Sequence, residues 1–117
     1  MIKGKSILVD KSYLFSLRLV KLYKHMISHE KEFVLSKQVL RSGTSICANA
    51  TEAQAAYSKK DFTHKMSIAS KEARETIYWL NILKDSDYLP DEFHSLISDC
   101  EELAKMLTSI VKSASRG

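Results

Sequence analysis

Residues 38–62, QVLRSGTSICANATEAQAAYSKKDF, decide the fold. The spacing predicts a helix over about Val34 to Tyr57 with two unlike faces. Leu35, Val39, Gly43, Ile46, Ala50, Ala53 and Tyr57 recur every three or four residues. At about 100° per residue they occupy a quarter to a third of the circumference, a small and apolar face. Gln38, Arg41, Ser45, Asn49 and Glu52 recur with the same period as a polar stripe. Gly43 in the interior costs about 1 kcal/mol relative to alanine. Because Ser42, Ser45, Ala48 and Ala50 are also small, close approach of another helix is the expected compensation. Ser58-Lys59-Lys60-Asp61 reads as a capping box that opens the next helix.

That next helix is expected to continue to about Asp85. Phe62, Met66, Ala69, Ala73, Thr76, Leu80 and Leu83 repeat on a heptad and form a bundle seam. A second stripe, Ile68, Glu72, Glu75, Trp79 and Ile82, lies roughly opposite, with Tyr78 beside it. Ile68, Trp79 and Ile82 would be poor surface residues on a monomer and are expected at a contact between subunits. Upstream, a helix is predicted from about Val9 to Ser28, with Ser6 or Asp10 as N-cap. Its core stripe is Phe15, Leu19, Leu22 and Met26. Tyr13, Leu17, Val20, Tyr23 and Ile27 widen the apolar surface beyond what one neighbour covers. His29-Glu30-Lys31-Glu32 reads as a polar connection. Downstream, Pro90 fits the first turn of a last helix, and Asp91 and Glu92 suit the positive end of its dipole. Phe93, Leu96, Ile97, Cys100, Leu103, Ala104, Leu107, Ile110 and Val111 make one clean face. Ser113 to Gly117 is expected to fray. The pattern implies an all-α, antiparallel up-down-up-down four-helix bundle of one domain, residues 1–117. The excess apolar surface on its first and third helices implies a homo-oligomer.

Composition agrees. With 117 residues the chain can enclose one core. Its three glycines and single proline are too few for a turn-rich β protein. No apolar run approaches the ~20 residues of a membrane helix, and no signal-peptide core is present, so a cytoplasmic location away from the membrane is expected. Cys47 and Cys100 belong to no CxxC pair and are expected to be small buried hydrophobes in a reducing compartment. Net charge is +4. Residues 1–34 hold seven Lys/Arg against three Asp/Glu, and residues 90–117 three against five, so the excess sits in the first quarter.

Three kinds of chemistry are open. Lys11, Arg18, Lys21, Lys24 and His25, with Lys59, Lys60 and Lys65, could follow the phosphates of RNA or DNA. The aromatic residues are not interleaved with these cations as single-strand readers require. Arg41, Ser45, Asn49 and Glu52 could satisfy one another as a structural network across a protomer boundary. Arg18-x6-His25 matches the loose spacing of HEPN ribonucleases, with histidine as base and arginine on phosphate charge. Glu-x-x-His pairs, Gly-rich phosphate loops and nucleophile elbows are absent, so no catalytic residue, metal site or cofactor is expected.

The runs LRSGTSICANATEA (40–53) and SKKDFTHKMSIASKEARETIYWLNIL (58–83), with DKSYLFSLRLVKLYKH (10–25), resemble the 23S rRNA intervening-sequence protein family of bacterial four-helix bundles. Arg41-Ser42, Ser45-Ile46, Asn49, Glu52 and Asp61-Phe62 carry the resemblance most specifically. It implies a ring-like homopentamer. It also implies a relationship to the accessory variability determinant of diversity-generating retroelements, a bundle that binds nucleic acid and a reverse transcriptase. The chain departs from the family pattern at Ala55-Ala56, where relatives often carry a basic residue, and at Cys47, where Gly or Ala is common. The resulting expectation is a non-enzymatic homopentamer that associates with nucleic acid. Its alternatives are a protein-protein scaffold without nucleic acid and a HEPN-like ribonuclease.

Overall fold

Ser6 opens the first helix because its Oγ accepts the Val9 N–H at 3.1 Å, supplying a partner that the first turn lacks. The computed structural model describes residues 6–116, and these contain four long α-helices and no strand. They are α1 (Ile7–His25), α2 (Leu35–Ala53), α3 (Lys59–Asp85) and α4 (Ser95–Arg116). Most of each seam predicted from spacing is buried, Tyr57 of the second helix's predicted face being the exception that stands fully exposed. Phe15, Leu19 and Leu22 of α1, and Met26 just past its end, share one core with Val39, Ile46 and Ala50 of α2. The α3 heptad from Met66 to Leu83, and Leu96, Cys100, Leu103 and Leu107 of α4, close the core. Phe62 packs on it from the edge. α1 and α3 each pack against both α2 and α4. The molecule measures 46 × 24 × 20 Å, its long axis close to the length of the 27-residue α3 at about 1.5 Å per residue.

Gly43 meets the expectation of close approach. A Cβ built there would run into Leu19 Cδ1 of α1 and stand 3.5 Å from Thr76 Cγ2 of α3. Its bare α-carbon is the surface against which a core leucine rests. Thr76, the one polar residue of the heptad, is fully buried, and its Oγ1 lies 2.7 Å from the Glu72 carbonyl and 2.9 Å from Ser42 Oγ. Ser42 Oγ in turn donates to the Gln38 carbonyl at 2.9 Å. A small helix face and a polar heptad position are thus joined by one buried hydroxyl pair.

Helix ends depart from the sequence-based expectation where the chain has to reverse. α2 stops at Ala53 rather than Tyr57. Gln54, Ala55 and Ala56 donate to carbonyls three residues back, tightening the last turn, and Tyr57 projects fully into solvent. Ser58 then caps α3, its Oγ accepting the Asp61 N–H at 3.0 Å as the capping box requires. α1 does not end in a plain connection. It widens into a π turn at Met26–Glu30, which Lys31 closes in the left-handed region at φ 55°. Glu32 follows, and its carboxylate accepts the N–H groups of Val34 (3.0 Å), Leu35 (2.8 Å) and Ser36 (2.7 Å), capping α2. Partial burial pushes that carboxyl up, but these hydrogen bonds outweigh it and hold the group below the ordinary glutamate value. Pro90 precedes a separate 3₁₀ turn, Asp91–Phe93, instead of sitting in α4. α4 stays helical to Arg116 where fraying was expected; Gly117 lies outside the described residues.

Candidate functional site

The two stripes singled out on α2 and α3 face each other across one seam. Arg41 Nη2 donates to Glu75 Oε2 at 2.6 Å and to Gln38 Oε1 at 3.3 Å. Trp79 Nε1 reaches the same Glu75 oxygen at 3.2 Å. One end of the seam is closed by Lys65 Nζ on Glu52 Oε1 at 2.8 Å, and that hydrogen bond and its charge hold the ammonium above the ordinary lysine value. Asn49 Nδ2 turns back along its own helix to the Ser45 carbonyl (2.9 Å) and Oγ (3.1 Å). Within the chain, Arg41 and Glu52 pair with residues of α3 rather than with each other. Glu72 Oε1 is buried without a hydrogen-bond partner among the described residues. Trp79 is half-buried against the core, with Tyr78 edge-on at 4.9 Å, and Ile68 and Ile82 are also half-buried. The Arg41–Glu75 and Lys65–Glu52 pairs are partly solvated, so they align the seam more than they stabilise it.

A second polar seam joins α1 to α4. Lys11 Nζ donates to Glu102 Oε1 at 3.0 Å, while Arg18 donates to Asp99 Oδ2 at 2.6 Å and Ser95 Oγ at 2.8 Å. The pairs bridge a cleft of about 190 Å³ floored by Phe15 and Leu103. His25 Nε2 lies 3.3 Å from Glu30 Oε2, and its ring stacks on His29 at 4.7 Å. Arg18 and His25, the pair with ribonuclease spacing, are thus each held by a different acid, and no hydrogen bond joins them.

The cations predicted to follow phosphates therefore divide. Lys11, Arg18, His25 and Lys65 have acid partners on this chain, whereas Lys21, Lys24, Lys59 and Lys60 are exposed with none among the described residues. The sequence reading missed a further set on α3 and α4: His64, Arg74, Lys105 and Lys112. The signal was present, because residues 103–117 contain no Asp or Glu. One stretch of the α1 surface is apolar. Ile7 (62%), Tyr13 (58%), Leu14 (62%) and Leu17 (46%) of α1 stand exposed, with Val20 beside them. Among the described residues no helix is long and apolar enough to cross a membrane, and no three His, Cys, Asp or Glu side chains gather where a metal ion could be held.

Known proteins place this geometry. The model of the 23S rRNA-intervening sequence protein family matches residues 5–109. Among solved structures, the fold is similar to that of a protein of unknown function from the S23 ribosomal protein family of Bacteroides thetaiotaomicron. The two share 50% identity and superpose with a TM-score of 0.87 over 91% of this chain and 99% of that one. No curated protein matches the chain.

Proposed function

The chain belongs to the 23S rRNA-intervening sequence protein family, and on that premise we propose that it is a non-enzymatic, nucleic-acid-associated bundle that works as a homo-oligomer. The observation that carries the nucleic-acid reading is the segregation of charge. Carboxylates of Glu52, Glu75, Asp99 and Glu102 are drawn into the two seams, leaving unpaired lysines outside on a chain of net charge +4. Assembly is supported by the exposed apolar side chains of α1, too many for a solitary subunit to leave wet, and a ring of five is the arrangement that the family resemblance implies. Up-down-up-down topology is supported by the order of partners. Lys11 pairs with Glu102 and Arg18 with Asp99, while Arg41 pairs with Glu75 and Glu52 with Lys65, so numbers rise on one helix as they fall on the next. The location we propose is the cytoplasm.

Electrophoretic mobility of labelled RNA and DNA at graded salt tests the reading. Retention that weakens steeply with salt is expected, and no retention at low salt overturns it. Sedimentation of the same sample checks assembly, and a stable lone subunit removes the ring. Intact RNA after prolonged incubation is expected; cleavage lost in His25→Ala would restore the ribonuclease reading. The internal pairing of Lys11, Arg18 and Lys65 favours the second reading, a protein scaffold whose partner is a protein such as a reverse transcriptase. It predicts stable assembly with no salt-sensitive retention of nucleic acid.

A further inference from the structure

α3 and α4 enclose a shallow groove on the side of the bundle away from the two ion-paired seams. The charged residues that line it are all basic. The α4 stretch that lines it follows the last acid of the chain, Glu102, and carries Lys105 and Lys112 two turns apart on one face. Of the nearby acids, Glu75 is held by Arg41 and Trp79, Glu72 has an oxygen buried from solvent, and Glu101 stands exposed one turn before Lys105, outside the lining. Arg74 stands in the middle, in a depression of about 180 Å³ with Ser67, Ser70, Thr108 and Lys112. Its Nη1 donates to Ser70 Oγ at 3.1 Å, which orients the guanidinium and leaves its other N–H groups without a carboxylate. Toward the start of α3 the groove continues past Thr63 to Lys59 and Lys60. One turn beyond Arg74, on the same face of α3, Tyr78 is 58% exposed, its ring set edge-on against Trp79. From Thr63 to Tyr78 the track runs about 22 Å.

We propose that this α3–α4 groove binds single-stranded nucleic acid, with successive phosphates on Arg74, Lys105 and Lys112 and an unpaired base stacked on Tyr78. The assignment rests on the nucleic-acid reading above and adds to it a place and a strandedness. A cationic track ending in an exposed aromatic ring is the pairing of features that strand-tolerant readers use, because every base has a face to stack while duplex bases are already stacked on each other. An acidic protein segment would satisfy the same cations but has no use for the ring.

The test is fluorescence anisotropy of the full chain with a labelled oligouridine strand longer than the groove and, separately, with a duplex of mixed sequence. Variants are Arg74→Glu/Lys112→Glu, Tyr78→Ala and, as control, Lys37→Ala/Lys84→Ala, all at exposed positions and checked for helix content by circular dichroism. Expected are preference for the single strand, at least a tenfold loss with a flatter salt dependence in the groove double variant, and about a tenfold loss for Tyr78→Ala on the single strand alone. The control should stay within about twofold. Groove variants that bind like the wild type would overturn the placement and leave the nucleic-acid reading standing. Equal loss of duplex and single strand in Tyr78→Ala would overturn the strandedness. A wild-type chain that binds neither probe, yet captures an acidic peptide through Arg74, would overturn both.

Discussion

Replacing Gly43 with alanine sets two effects of similar size against each other, and the structure decides the sign. In a helix interior alanine is favoured over glycine by about 1 kcal/mol, so an open site would be stabilised by that amount. This site is not open. The new methyl overlaps Leu19 Cδ1, and Leu19 is 1% exposed in the core, so its side chain has to shift against packed neighbours. Moving α2 away from α1 instead presses the methyl onto Thr76 Cγ2, whose residue is tied to Ser42 and the Glu72 carbonyl. Overpacking of this kind costs about 1–3 kcal/mol, which outweighs the propensity gain and leaves Gly43→Ala less stable by about 1 kcal/mol. The midpoint of thermal unfolding should fall by about 4 °C. Leu19→Ala alone should cost about 3 kcal/mol. In that background the methyl of Gly43→Ala enters the vacated space, and the substitution should become stabilising by about 1 kcal/mol, a coupling of about 2 kcal/mol. Urea unfolding followed by circular dichroism, at one protein concentration so that assembly does not shift the midpoint, measures all four corners of the cycle. If Gly43→Ala stabilises equally in the wild-type and the Leu19→Ala backgrounds, the effects are additive and the glycine is not there to admit the leucine.

Glu32→Gln should lower stability at neutral pH by about 1 kcal/mol through weakened capping of α2. The folded carboxyl lies below its unfolded value of 4.5, so its contribution is present above that pH and lost as pH falls through the folded value. The variant should therefore show a smaller loss of stability on acidification below that value, measurable from urea midpoints across the acid range. Burial, with Glu101 and Asp99 nearby, pushes the Cys100 thiol up to about 12. A disulfide reagent at pH 8 should therefore label the half-buried Cys47 first, and a stoichiometry of two in the native state would show the α3–α4 core to be open. Glu75→Ala removes the acceptor shared by Arg41 and Trp79. A red shift of tryptophan emission with less than about 1 kcal/mol lost in unfolding is expected, and an unshifted spectrum would place Trp79 elsewhere.

Helix positions and inward faces were legible because burial at period 3.6 leaves an unambiguous mark. The heptad from Phe62 to Leu83, the α1 stripe at Phe15, Leu19, Leu22 and Met26, and the Ser58 cap all occupy the places their spacing implies. Ends were less legible. The π turn at Met26–Glu30 and the early stop of α2 at Ala53 answer to the need to turn the chain into the next helix, a requirement set by distant packing. Glu32 looked like one more charge in a polar connection, since a carboxylate that caps from three residues outside the helix follows no common pattern. Arg74, Lys105 and Lys112 escaped attention for a related reason. Arg74 lies far in sequence from the α4 lysines, and only packing of α3 on α4 brings it beside Lys112, with Lys105 in an adjoining depression that shares Thr108 and Lys112.

The order of residues by itself determined four amphipathic helices, their inward faces, the glycine at a close approach and the family, since each depends on neighbours within a few turns. Tertiary structure alone decided which charges remain available. Whether a lysine faces a carboxylate or open solvent depends on the helix packed beside it. Lys11, Arg18 and Lys65 are matched in that way, and Lys59, Lys60, Lys105 and Lys112 are left to face outward.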